Sequence, residues 1–239
     1  VSTLLVALDV PTRAEAVRLA EILQPHVGGF KVGLELLMGE GPAIVGDVAS
    51  FGNPIFVDAK LHDIPNTVEK AAGRLGELGA RWVTVHASGG GEMMEVAAYA
   101  LRSGSNGAGV LGVTVLTSLD QASLGTIGVE RDLSLQVQEL ARLSAVSGAE
   151  GVVCAVSEAS GVKGLDLGLL VATPGIRPAS VEAGDQKRVA TVREAIEAGA
   201  DLLVVGRPIT AADDPADAAR AIRREMETAV QTAPPSAAG

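Results

Sequence analysis

Apolar residues in this chain come in short unbroken runs, and between the runs they recur at helical spacing. Leu4 to Leu8 is a continuous apolar run of strand length. From Arg13 to Leu23 the apolar positions are Ala16, Val17, Leu19, Ala20 and Leu23, the one-face pattern of an amphipathic helix. The alternation then repeats. Gly29 to Leu34 predicts a second strand, with a helix from about Pro42 to Ala49. Ile55 to Lys60 predicts a third strand, with a helix over Thr67 to Leu78. Trp82 to His86 and a helix near Glu92 to Leu101 follow, then Gly109 to Leu116 and a helix over Ser134 to Ser147. Gly151 to Ala155 precedes a short helix near Ser157 to Lys163, and Leu169 to Thr173 precedes one at Thr191 to Ala198. Leu202 to Val205 is the eighth strand, closed by a helix from Pro215 to Thr228.

Eight strand–helix units predict an α/β fold, a single-domain (β/α)8 TIM barrel over residues 1–231. Gly-Ala pairs just ahead of strands (Gly79-Ala80, Gly148-Ala149, Gly199-Ala200) fit helix C-caps that feed the next strand. An open doubly wound sheet is the alternative. No Gly-x-Gly-x-x-Gly follows the first strand, so a dinucleotide site has no support. Residues 232–239, Thr-Ala-Pro-Pro-Ser-Ala-Ala-Gly, read as a disordered C-terminal tail.

Composition agrees with buried parallel strands. The 239 residues are 47% hydrophobic but only 2% aromatic, so the core is built of Val, Leu, Ile and Ala. The net charge of −10 argues against nucleic acid or an anionic membrane as partner. It also makes the few lysines informative: two of the five, Lys31 and Lys60, sit inside or at the end of apolar strands. The one cysteine, Cys154, excludes an internal disulfide and reads as a small buried hydrophobe. His26, His62 and His86 lack metal-ligand spacing, so no metal site is expected. No stretch approaches the length of a membrane span, and no leader segment is read ahead of the first strand. The expectation is a cytoplasmic protein.

In a barrel of this kind the strand C-termini converge on one face, and chemistry happens there. The polar residues at those ends are Asp9, Lys31, Asp58 with Lys60, His86 with Ser88, Thr117 with Ser118, Pro174 to Arg177, and Gly206 with Arg207. The densest stretch is Val57 to Thr67. Residues two apart on a strand point the same way, so Asp58 and Lys60 face one side together. Asp63 falls where the strand must end, because Ile64 precedes Pro65. A structural ion pair capping a strand would explain any one of these charges. The whole set is too rich in charge for that, since buried charges are costly unless paired or put to use.

These residues resemble the orotidine 5′-phosphate decarboxylase family. Asp58-x-Lys60-x-x-Asp63-Ile64-Pro65-Asn66-Thr67 is similar to that family's signature. The blocks Ala7-Leu8-Asp9, Phe30-Lys31-Val32-Gly33 and Val85-His86-Ala87-Ser88-Gly89-Gly90 look like others, as do Val113 to Ser118, Thr173 to Pro178, Asp185-Gln186 and Val205 to Thr210. The resemblance implies a cofactor-free decarboxylation of orotidine 5′-phosphate to UMP. It implies Lys60 as proton donor to C6, Asp58 near the departing carboxylate, and an alternating Lys31-Asp58-Lys60-Asp63 array. Asp63 would enter from the partner of a homodimer. It further implies ribose contacts from Asp9, Lys31 and the partner's Thr67, with Ile64 beside them, and pyrimidine contacts from Thr117 and Ser118. Arg177, Gln186, Gly206 and Arg207 would hold the phosphate, and Pro174 would be a further substrate-binding residue. The long segment from Pro174 to Arg188 suggests a closing lid. His62 and His86 read as structural or interface hydrogen-bonders, because Lys60 already fills the donor role.

Two other readings compete. A sugar-phosphate decarboxylase or synthase barrel of the same superfamily also carries Asp-x-Lys-x-x-Asp but works with Mg2+. Ile64 to Thr67 and Leu116-Thr117-Ser118 favour the nucleotide enzyme. A non-catalytic phosphoribosyl-ligand binder would be expected to have lost a charge from the array, and none is lost.

Overall fold

Eight parallel strands close into a barrel in chain order, with the eighth pairing back onto the first. The computed structural model describes residues 2–105, 107–177 and 190–232. The strands are β1 (Thr3–Ala7), β2 (Gly29–Val32), β3 (Ile55–Leu61), β4 (Ala80–His86), β5 (Gly109–Val113), β6 (Gly151–Val153), β7 (Leu170–Thr173) and β8 (Leu202–Val205). The helices between and after them are α1 (Arg13–Leu23), α2 (Leu34–Glu40), α3 (Ile44–Ala49), α4 (Pro65–Glu77), α5 (Gly91–Gly104) and α6 (Gln121–Thr126). They continue with α7 (Leu133–Val146), α8 (Val156–Lys163), α9 (Val192–Glu197), α10 (Arg207–Thr210) and α11 (Pro215–Thr232).

Local chemistry sets the helix ends. Thr12 accepts the Glu15 N–H, Asp132 accepts those of Ser134 and Leu135, and Thr191 with Glu194 forms a reciprocal capping box. Pro65 opens α4, where a missing N–H costs nothing. Gly79, Gly148 and Gly199 follow α4, α7 and α9 at φ +94°, +73° and +86°, as the Gly-Ala pairs predict.

The core has two parts. Inside the barrel, Leu5, Phe56, Trp82, Leu111, Leu202 and Val204 pack together. Outside, residues such as Leu4, Phe30, Val57 and Val83 face the helices. Burying each large side chain contributes about 1.5–3 kcal/mol. Arg81 forms a two-pronged pair with Glu150 and lies 4.5 Å from the Trp82 ring centroid. Lys163 pairs with Asp201 at 2.6 Å. These pairs sit where strands begin, on the face that stabilises a barrel rather than the one that carries its chemistry. No helix among the described residues is long and apolar enough to cross a membrane.

The elements depart from the sequence pattern most instructively in three places. The second strand ends at Val32, and Leu34 opens α2, a helix that the apolar run through Leu34 conceals. The fifth strand ends at Val113; the Thr114 N–H and hydroxyl both donate to the Val153 carbonyl, turning the chain into the loop before α6. The short α6 and α10 carry too few apolar positions to show a period. The tail expected from residue 232 lies outside the described residues beyond Thr232, which ends α11.

Candidate active site

The site is a cavity of about 560 Å³ at the C-terminal mouth of the barrel. Nine of the residues singled out from the sequence line it: Asp9, Lys31, Asp58, Lys60, Thr117, Pro174, Arg177, Gly206 and Arg207. Each stands at or just beyond a strand end, so the closure of the sheet brings together positions almost 200 residues apart. Apolar side chains including Phe56, Val113 and Val204 form its floor.

Four charges of alternating sign run across the cavity within one chain. Lys31 Nζ donates to Asp9 Oδ1 at 2.9 Å and lies 3.8 Å from Asp58 Oδ2. Lys60 Nζ donates to the same Asp58 Oδ2 at 2.7 Å. The Lys31 side chain is 10% exposed and that of Asp58 15%, against 29% for Lys60 and 49% for Asp9. The inner pair is thus the desolvated one, where Coulomb interactions act at their strongest. Burial alone would push the Asp58 carboxyl up. The charges of Lys31 and Lys60, with hydrogen bonds from Lys60 and Thr84, outweigh it and hold Asp58 below the usual carboxylate range. Asp58 is therefore an anion at neutral pH, with a cation on either side.

Asp58 and Lys60 converge, as expected, but not by regular pleating. Along β3 the register passes from Val57 opposite Val83 to Leu61 opposite Val85, so three β3 residues face the single residue Thr84. Lys60 takes φ +46°, the left-handed region. That conformation costs a non-glycine residue roughly 1–3 kcal/mol. It re-aims the side chain into the mouth, as bulges beside active sites do.

Asp63, Ile64 and Thr67 are exposed and lie outside the cavity lining. Asp63 Oδ1 accepts the Ile64 N–H at 2.7 Å, and Ile64 itself is 66% exposed. Ser118 is likewise exposed and outside the lining. Gln186, and most of the segment expected to form a lid, lie outside the described residues. The two ends of that segment meet: Arg177 N–H donates to the Ala190 carbonyl at 2.9 Å and Ala190 N–H to that of Gly175 at 3.3 Å. His62 and His86 stack obliquely, ring centroids 5.2 Å apart.

Three residues that matter to the geometry are not conspicuous in the sequence. Glu35, in the first turn of α2, lines the cavity. Gly33 lies beneath the Asp9–Lys31 pair, and a Cβ there would come within 2.8 Å of both Asp9 Oδ1 and Lys31 Nζ. Thr84 is wholly buried and hydrogen-bonds to both Asp58 and Lys60. The signal for Thr84 was its phase: it alternates with Trp82 on the inward face of β4.

A closed (β/α)8 barrel with an acid–lysine array and arginines at its C-terminal mouth defines the site of a barrel enzyme. The chain belongs to the orotidine 5′-phosphate decarboxylase / HUMPS family, whose model matches residues 2–222. It is 52% identical over 217 residues to an orotidine 5′-phosphate decarboxylase from Anaeromyxobacter dehalogenans, covering 90% of this chain and 94% of that one. It is 50% identical over 229 residues to one from Paramagnetospirillum magneticum, covering 92% and 97%. Among solved structures, the orotidine 5′-phosphate decarboxylase of Lactobacillus acidophilus superposes with a TM-score of 0.81 at 36% identity, covering 95% of this chain and 99% of that one.

Proposed function

We propose that this chain decarboxylates orotidine 5′-phosphate to UMP in pyrimidine biosynthesis, without a cofactor, and that Lys60 supplies the proton. The observation that carries this reading is the Lys60 ammonium 2.7 Å from Asp58 Oδ2, inside the mouth, with Lys31 Nζ 3.8 Å from the same oxygen. The C6–carboxylate bond breaks, CO2 leaves, and the electron pair stays on C6. The ring cannot readily delocalise that pair, so the protein must stabilise it electrostatically. The Lys60 ammonium does so and then passes a proton from Nζ to C6, giving UMP; solvent returns a proton to the amine. Asp58 orients Lys60 through that 2.7 Å contact.

The rest of the cavity suits a nucleotide. Arg207 follows Gly206 at the end of β8, and Arg177 lies on the neighbouring loop, where barrels commonly bind phosphate. In this proposal Gln186 and Pro174 belong to the same end, Thr117 and Ser118 hydrogen-bond the pyrimidine, and Asp9 and Lys31 hold ribose hydroxyls. Asp63, Ile64 and Thr67 serve the site of a second copy. Their exposure at the mouth, with an apolar Ile64 in the middle, supports a homodimer with shared sites. A cytoplasmic location belongs to the same proposal.

The test is turnover of orotidine 5′-phosphate, followed by loss of its absorbance, with and without EDTA. Full activity in EDTA is the expected result. Loss of activity on chelation would favour the Mg2+-dependent sugar-phosphate chemistry. No turnover under any condition would favour a ligand binder.

A further inference from the structure

The geometry points to Thr84 as the positioning residue that fixes Lys60 for proton transfer, through one hydroxyl that ties the Lys60 backbone to the Asp58 carboxylate. This rests on the reading of Lys60 as the donor.

Thr84 stands alone opposite three residues of β3, Asp58, Ala59 and Lys60, where the parallel ladder loses register. A regular ladder would satisfy the backbone there. Instead the Lys60 N–H donates to Thr84 Oγ1 at 2.8 Å. A hydroxyl carries one proton and two lone pairs. With Oγ1 accepting from Lys60, its proton is free to point along the 3.0 Å contact to Asp58 Oδ1. The two Asp58 oxygens are thus divided: Oδ1 takes the Thr84 hydroxyl, and Oδ2 faces Lys60 Nζ and Lys31 Nζ.

Both ends of Lys60 then depend on one side chain. Its backbone is held at φ +46° by a bond to Oγ1, and its ammonium is aimed by a carboxylate that Oγ1 orients. Strained backbone of this kind persists only where the surroundings over-determine it. Thr84 is 0% exposed and does not line the cavity, so it has no route to the substrate itself. Its effect should fall on the step in which Lys60 takes part and spare ground-state binding, which other residues provide.

Thr84→Val keeps the shape and removes both hydrogen bonds; Thr84→Ser keeps the hydroxyl. Expected for Thr84→Val is a fall in kcat of roughly ten- to a hundredfold, the range for a lost hydrogen bond to a charged group, with KM and the Kd of UMP within about threefold of wild type. Thr84→Ser should recover kcat to within about threefold of wild type. If Thr84→Val does not fold, Thr84→Ala is read in its place. A kcat for the hydroxyl-free variant within about twofold of wild type would overturn the assignment. So would a parallel loss of kcat and UMP affinity that Thr84→Ser fails to repair, which is the mark of a merely structural role. Wild-type enzyme without turnover would instead remove the reading of Lys60 on which the inference stands.

Discussion

Lys31 Nζ lies 2.9 Å from Asp9 Oδ1, and the bond passes through the space that a side chain at residue 33 would enter. Gly33 has φ −95°, which any residue adopts, so the requirement is one of space alone. A Cβ would fall 2.8 Å from each partner, and both contacted atoms are the far ends of flexible side chains. They can swing away, which spares the fold and breaks the pair. Gly33→Ala should therefore lose at least about tenfold in kcat/KM, near 1.4 kcal/mol. Its melting temperature should stay close to wild type. Steady-state kinetics and a thermal melt on the same preparation check it. A kcat/KM within about twofold would mean that the Asp9–Lys31 bond is dispensable.

His86 supplies a pH prediction. Burial of its ring, then the positive charges of His62 and Lys60, hold its pKa below the ordinary 6.5 against the opposing pull of Asp58. The fold thus favours the neutral ring. That preference contributes stability above pH 6.5 and is lost as pH falls through the depressed pKa, because the unfolded chain takes up the proton first. NMR titration should place the His86 midpoint below 6.5, and His62→Gln should move it upward by removing a like charge. A midpoint that stays put or falls in His62→Gln would remove the coupling between the two rings.

The barrel was legible in the chain because each unit announces itself: an apolar run, a turn, a helical period. Strand β8 and helix α1 match their predicted bounds residue for residue. Helix α2 was hidden because Leu34, Leu36 and Leu37 continue the apolar run of β2, and only the backbone at Gly33 separates them. The charges of the site were legible too, since Lys31, Asp58 and Lys60 interrupt apolar strands. How Asp58 and Lys60 meet was not. Simple alternation predicts a shared face, whereas the structure reaches it through a lost register and a left-handed Lys60. Thr84, flanked by Val83 and Val85, reads as an ordinary β-branched strand residue; its role depends on a partner on another strand.

The shared site can be tested by complementation. If Asp63 serves the partner's site while Lys60 serves its own, Lys60→Ala and Asp63→Ala homodimers should each be nearly inactive. In a hybrid, one site carries both lesions and the other carries none. Random exchange makes about half the dimers hybrid, so activity should rise to roughly a quarter of wild type. The assay follows turnover over time after mixing equal amounts, with exchange monitored by mass. No recovery despite exchange would mean that Asp63 acts within its own chain or that the sites are not shared.

The most direct test of the account is Lys60→Ala, measured in two ways on one preparation: kcat on orotidine 5′-phosphate and the Kd of UMP. In the proposed role Lys60 acts on charge that develops only as CO2 departs, so its loss should leave UMP binding in place and remove nearly all turnover. Well-folded Lys60→Ala enzyme that binds UMP but loses less than about tenfold in kcat, under about 1.4 kcal/mol, would contradict the role of Lys60 as proton donor.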